Sequence, residues 1–134
     1  MKNGFIKVAA ASPKLRVADV KYNTDQTIKV IADAAEKGAK LVVLPELGIS
    51  AYTCGDLFFQ SSLIQLSEAA LIKIAEETAG TDILSVVGVP VSKGGKLYNC
   101  AAFIKDGKIL GLVPKSNLPN HDEHCESRYF NTMD

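Results

Sequence analysis

Leu41-Val42-Val43-Leu44-Pro45-Glu46-Leu47 is the stretch that decides the fold. Four apolar residues, two of them β-branched, run into a proline and hand over at once to a single carboxylate. An apolar run of this length reads as a buried strand. Proline has no N–H to give to a strand ladder, so it ends the strand or confines it to an edge. Leu110-Gly111-Leu112-Val113-Pro114-Lys115 repeats the device with an amine in place of the acid. Both charged side chains are expected where the carboxyl edge of a sheet opens into a crevice, the place where open α/β sheets bind their ligands.

Outward from these two stretches the periodicity alternates. A first strand is expected from Phe5 to Ala11, ended by Ser12-Pro13. Asn23 or Thr24 is placed to cap a helix running to about Lys37. Its apolar positions Ile28, Ile31, Ala32 and Ala35 fall at helical spacing, and Gly38 suits its stop. Leu41 to Leu44 is the second strand, and Gly48 to Gln60 reads as a loop. Ser61 or Ser62 opens a second helix to about Thr78, carrying Leu63, Leu66, Ala69, Ala70 and Ile74. Three more strands are expected: Ile83 to Val91, Leu97 to Ile104 and Ile109 to Val113. Tight turns at Lys93-Gly94-Gly95-Lys96 and Lys105-Asp106-Gly107-Lys108 join them, and Asp-Gly between apolar runs is a strong hairpin signal.

The order β-α-β-α-β-β-β defines an α/β protein with a mixed sheet. Right-handed crossovers make the strands parallel across the helices, and the hairpins add antiparallel strands. Both long helices are expected on one face. Strands such as Ser85-Val86-Val87-Gly88-Val89-Pro90-Val91 are apolar on both sides, so the second face also needs cover. Further sequence or a partner would supply it.

Composition narrows the function classes. The 134 residues are one domain's worth. Fifteen basic residues balance fifteen acidic ones, which gives no electrostatic basis for binding nucleic acid or an anionic membrane. No apolar run approaches the roughly 18 residues of a spanning helix, and the charged start Met1-Lys2-Asn3-Gly4-Phe5-Ile6-Lys7 has no secretory core. Cys54, Cys100 and Cys125 are odd in number and show no C-x-x-C spacing, which fits reduced thiols in a cytoplasmic protein. Only His121 and His124 are present, too few for a multi-histidine metal site. After Lys115 the chain turns polar and loop-like through Ser116-Asn117-Leu118-Pro119-Asn120-His121-Asp122-Glu123-His124. No helix or strand is expected to close it, and residues 1–134 are expected to be the front part of a longer protein.

Glu46 and Lys115 carry the chemistry. A carboxylate at the mouth of a sheet is suited to general-base work. Taken alone it reads first as a residue that caps the following turn or pairs with a surface lysine. An ammonium held at a strand end is suited to stabilising an oxyanion. Taken alone it reads first as a solvated lysine after a turn. Together the two compensate one another's charge and lack only a nucleophile.

Taken in order and spacing, Pro45-Glu46-Leu47 and Val113-Pro114-Lys115-Ser116-Asn117-Leu118-Pro119 resemble the nitrilase superfamily of carbon–nitrogen hydrolases. Gly48-Ile49-Ser50-Ala51-Tyr52-Thr53-Cys54-Gly55-Asp56-Leu57-Phe58 and the tail through Glu126-Ser127-Arg128-Tyr129-Phe130 are similar to the amidase domain of glutamine-dependent NAD synthetases. The resemblance implies the first part of an α-β-β-α sandwich. It implies Glu46 as general base and Lys115 as the amine of a Glu-Lys-Cys triad, with Tyr52 and Glu126 in the glutamine pocket. Glu126 would there accept the substrate's α-ammonium group, although Tyr52 also reads as rim packing and Glu126 as a solvated acid.

The resemblance further implies a nucleophilic cysteine on a later strand, beyond these residues. Cys54, Cys100 and Cys125 do not fit that place, so residues 1–134 alone are expected to be inactive. ATP and Mg would serve a C-terminal synthetase domain of the same polypeptide, and a homo-oligomer is expected. Another nitrilase-type amidase or carbamoylase, or a non-catalytic α/β binding module, is the alternative.

Overall fold

The computed structural model describes residues 3–121 and 124–133. Asp122 and Glu123, within the stretch expected to be loop, lie outside the described residues, as do Met1, Lys2 and Asp134. Strands β1 (Val8–Ala10), β2 (Leu41–Val43), β3 (Leu84–Lys93), β4 (Lys96–Lys105) and β5 (Lys108–Pro114) form a single sheet in that spatial order. Helix α1 (Val20–Glu36) joins β1 to β2, and α2 (Ser61–Glu77) joins β2 to β3. The first three strands run parallel. The last two pair antiparallel through hairpins.

The hairpins form as their sequences dictate. Gly94-Gly95 and Asp106-Gly107 all take positive φ, the two-residue turn whose twist matches that of the flanking strands. Asp106 does so at φ 48°, a region that short polar side chains tolerate.

The helices fall on one face because both crossovers advance in the same direction across the sheet, and they pack on each other. Ile31 in α1 and Ile74 in α2 are wholly buried, in one hydrophobic cluster with Val42, Val87, Val89, Ala102 and Ile104 of the sheet. Each such aliphatic side chain contributes about 1.5–3 kcal/mol of burial.

The opposite face lacks this cover. Val43, Val86, Phe103 and Gly111 stand in register across four strands. Val8, Val43 and Val113 on this side are 58%, 43% and 56% exposed.

Several boundaries differ from the sequence expectation by a residue or two, and three differences bear on the site. The first strand is shorter than Phe5 to Ala11, because the Lys7 carbonyl and the Ala11 N–H meet the Lys40 N–H and the Val43 carbonyl only as flanking contacts at either end of the β1–β2 pairing. Helix α1 begins three residues before Asn23, with the Asp19 carboxylate accepting from the Tyr22 N–H. Asn23 and Thr24 instead lie inside it and are buried. The segment expected as loop between Gly48 and Gln60 contains a 3-10 helix at Gly55–Phe59. In the tail a second short 3-10 helix, Glu126–Arg128, is followed by Phe130, which packs at 5.0 Å from Phe58. The Asn131 N–H then bonds to the Leu97 carbonyl, so the tail is fastened to the start of β4.

Candidate active site

The backbone turn after β2 sets where the Glu46 side chain emerges. After β2 the chain turns tightly, with the Gly48 N–H donating to the Pro45 carbonyl and the Ile49 N–H to the Gly88 carbonyl. Leu47 takes φ 52° and is fully buried. That left-handed conformation strains a branched residue by about 1–2 kcal/mol, and its buried side chain offsets the strain. The turn rests directly on β3 at Gly88. A methyl group there would lie 2.6 Å from the Pro45 carbonyl oxygen and 2.9 Å from the Glu46 carbonyl carbon, inside contact distance. From behind, the buried Asn23 amide donates to the Ile49 and Arg16 carbonyls and its oxygen accepts from the Arg16 N–H. A helix residue expected as a cap is thus a clamp on the loop that carries Glu46.

Lys115 follows the last residue of β5, and its N–H donates to the Asn99 carbonyl at 2.7 Å. Its ammonium lies 2.6 Å from Glu46 Oε1 and 3.1 Å from Glu126 Oε1. Burial works against the charged lysine, but hydrogen bonds and charges from Glu46 and Glu126 outweigh it, so its pKa lies above the ordinary lysine value. The amine is a fixed cation at neutral pH.

All four residues expected at the site therefore meet in one network. Tyr52 donates to Glu126 Oε2 at 2.8 Å and its hydroxyl lies 3.2 Å from His124 Nδ1. Glu126 is 4% exposed. Both of its oxygens are engaged, one by Tyr52 and both by Lys115, so a substrate ammonium would have to share it.

Two members were not read from sequence. Asn99, on β4, donates to Glu46 Oε1 at 2.7 Å and lies 3.5 Å from Glu126 Oε1. Its signal was a lone carboxamide in the otherwise apolar Leu97-Tyr98-Asn99-Cys100-Ala101-Ala102-Phe103, since a buried polar group implies a partner. His124 gave no signal beyond its residue type.

A concavity of about 400 Å³ lies over this network, lined by Pro45, Glu46, Tyr52, Lys115, His124 and Glu126 together with Pro119. That volume is in the range of small-molecule sites, roughly 300–1,000 Å³. A groove of about 390 Å³ runs on from Glu46 and Lys115 along the uncovered sheet face, past Val43, Val86 and Val113.

The cysteines divide by burial. Cys54 is buried, with Sγ 3.1 Å from the Ser50 carbonyl oxygen, and burial raises its pKa. Burial pushes the Cys100 thiol up to about 11. Both stay protonated at neutral pH, unlike an activated thiolate. Cys125 is exposed, just before the turn that carries Glu126.

Residues 7–134 match the family described as carbon-nitrogen hydrolase. The chain belongs to the carbon–nitrogen hydrolase family.

Within that family it is similar to glutamine-dependent NAD(+) synthetases. It is 35% identical over 127 residues to the one from Mycobacterium bovis, covering 95% of this chain and 19% of that protein. It is 38% identical over 126 residues to the one from Xanthomonas campestris pv. campestris, covering 93% of this chain and 22% of that protein. The crystal structure of the Cytophaga hutchinsonii synthetase superposes with a TM-score of 0.91 at 27% identity, over 96% of this chain and 22% of that one. An amidase from Nesterenkonia sp. superposes at 0.82 with 24% identity, which shows a common fold. The chain spans about a fifth of the length of the curated relatives it matches. Among the described residues no helix is long and apolar enough to cross a membrane.

Proposed function

We propose that this carbon–nitrogen hydrolase chain supplies the base and the cation of a glutamine amidase centre. In this reading the centre hydrolyses the glutamine side-chain amide and releases ammonia for NAD synthesis from deamido-NAD. The observation that supports it most is the 2.6 Å contact between Glu46 and Lys115 at the floor of a solvent-reached concavity. A purely structural pair has no need of such a place.

The chemistry follows from the two heads. Glu46 takes the proton of a cysteine thiol contributed from outside residues 1–134, and the thiolate attacks the amide carbon. Negative charge gathers on the former carbonyl oxygen, and a Lys115 N–H not engaged by Glu46 or Glu126 stabilises it. The C–N bond breaks as Glu46 returns its proton to the nitrogen, and ammonia leaves a thioester. Water then attacks with Glu46 again accepting the proton, and glutamate and the free thiol result. Glu126 serves first as the counter-ion that keeps Lys115 in place. With Tyr52 it borders the space for the substrate's α-amino end.

ATP and Mg do not fit the residues present. Among those described no group of three or more His, Cys, Asp or Glu could hold a metal ion, and Gly94-Gly95 sits in a hairpin rather than at the strand-to-helix turn that cradles phosphates. We assign both to a synthetase domain of the same polypeptide, which would receive the ammonia. A cytoplasmic, homo-oligomeric protein agrees with this reading.

The test uses the complete gene product. Glu46→Gln is expected to abolish NAD synthesis driven by glutamine while synthesis from free ammonia persists. Equal loss of both activities would contradict a hydrolytic role.

A further inference from the structure

Glu46 has two oxygens with different surroundings. Oε1 accepts from the Lys115 ammonium at 2.6 Å and from the Asn99 side-chain amide at 2.7 Å. Among the described residues nothing donates to Oε2, and the side chain is 44% exposed toward the concavity. Asn99 itself is 4% exposed, on the rigid β3–β4–β5 part of the sheet. Its side chain lies between two carboxylates, so its NH₂ must face them, since the amide oxygen would be repelled by both.

We propose that Asn99 is a positioning residue for Glu46. It ties Oε1 down beside Lys115 and thereby presents Oε2 as the oxygen that takes the nucleophile's proton. This rests on the amidase reading above.

The geometry gives the tie its purpose. Lys115 alone is a flexible ammonium on a four-carbon stem, a point charge that lets a carboxylate swing. One salt bridge leaves the Glu46 carboxylate free to rotate and to exchange its oxygens. A second donor, from a short side chain on a central strand, removes that freedom. It costs little order of its own, because Asn99 has only two rotatable bonds and its backbone carbonyl already accepts from the Lys115 N–H. The same amide reaches toward Glu126 Oε1, so the base and the counter-ion of Lys115 keep a fixed spacing.

The experiment compares Asn99→Leu and Asn99→Asp with the native residue in the glutamine-driven reaction of the complete gene product. Asn99→Leu keeps the branched shape and removes the donor, while Asn99→Asp keeps the size and replaces the amide donor with a carboxyl group set between two carboxylates. Losing a hydrogen bond to a charged group predicts a fall in kcat of roughly 10- to 100-fold, with KM changed less than about threefold. A loss confined to KM would overturn the proposal.

Should both variants fail to fold, the native protein labelled at asparagine decides. The Asn99 side-chain amide resonances should move when Glu46 is changed to Gln, and unmoved resonances would overturn it. The amidase reading fails separately, if Glu46→Gln retains glutamine-driven turnover. The positioning role fails alone if Glu46→Gln is inactive and Asn99→Leu keeps kcat within threefold.

Discussion

The two faces of this sheet have opposite characters. Toward the helices, Val42, Val87, Val89, Ala102 and Ile104 are at most 1% exposed, and every side chain has partners. On the other side Val8, Val43 and Val113 stand half in water although their residue type suits a core. Burial scales with apolar area removed from water, so the helix face holds most of the stability of these residues. Glu46, Asn99 and Lys115 all lie at the rim of the other face, beside the groove lined by Val43 and Val113. Stability and chemistry have been given to different sides of one layer, and the charged residues sit where a second layer would meet the first.

Substitutions on the two sides should therefore break different properties. The largest effect belongs to the rim. Lys115→Met removes the cation and leaves Glu46 and Glu126 facing one another. Glutamine-driven turnover should drop by about 10²–10³-fold or more, measured as glutamate released.

Next comes the helix face. Ile31→Ala empties a wholly buried site in α1 and should destabilise by about 2–5 kcal/mol in urea unfolding. Gly88→Ala joins the two sides. Its methyl group meets the backbone of the turn holding Glu46, so about 1–3 kcal/mol of overpacking should accompany a loss of glutamine-driven activity. A stable but inactive Gly88→Ala protein would show that the turn has shifted without unfolding.

A smaller effect is in pH. The Lys115 pKa is raised above 10.5, so its folded-state advantage is complete below the unfolded value and is lost as pH climbs through the folded one. Urea midpoints of native and Lys115→Met proteins should run parallel from pH 6 to 9 and converge above about 10.5. Smallest is Val43→Thr on the open side, expected within about 0.5 kcal/mol in a preparation of residues 1–134. A larger destabilisation would mean that this face is already covered.

Most of the architecture was legible because it is written in local patterns. The Asp106-Gly107 and Gly94-Gly95 turns fix the hairpins, and Pro45 and Pro114 mark where Glu46 and Lys115 emerge. Glu46, Tyr52, Lys115 and Glu126 were all named from residues and resemblance, and they meet in space. What escaped was the support. Asn23 looked like a helix cap because capping and clamping use the same side-chain chemistry, and only the position of the Ile49 carbonyl separates them. Asn99 was read as part of an apolar strand, since its two partners come from positions 46 and 126 and no local pattern announces them. The 3-10 helix at Gly55–Phe59 was lost for a third reason. Its Phe58 is held by Phe130, a contact between distant parts of the chain.

Trapping the acyl intermediate tests the central claim most directly. Complete gene product is mixed with glutamine, quenched in acid within a turnover and digested for mass spectrometry. A Glu46–Lys115 pair that serves a thiolate predicts a glutamyl thioester on a cysteine outside residues 1–134, present in native protein and lost in Glu46→Gln. A glutamyl group on Cys54, Cys100 or Cys125, or one that forms unchanged in Glu46→Gln, would contradict it.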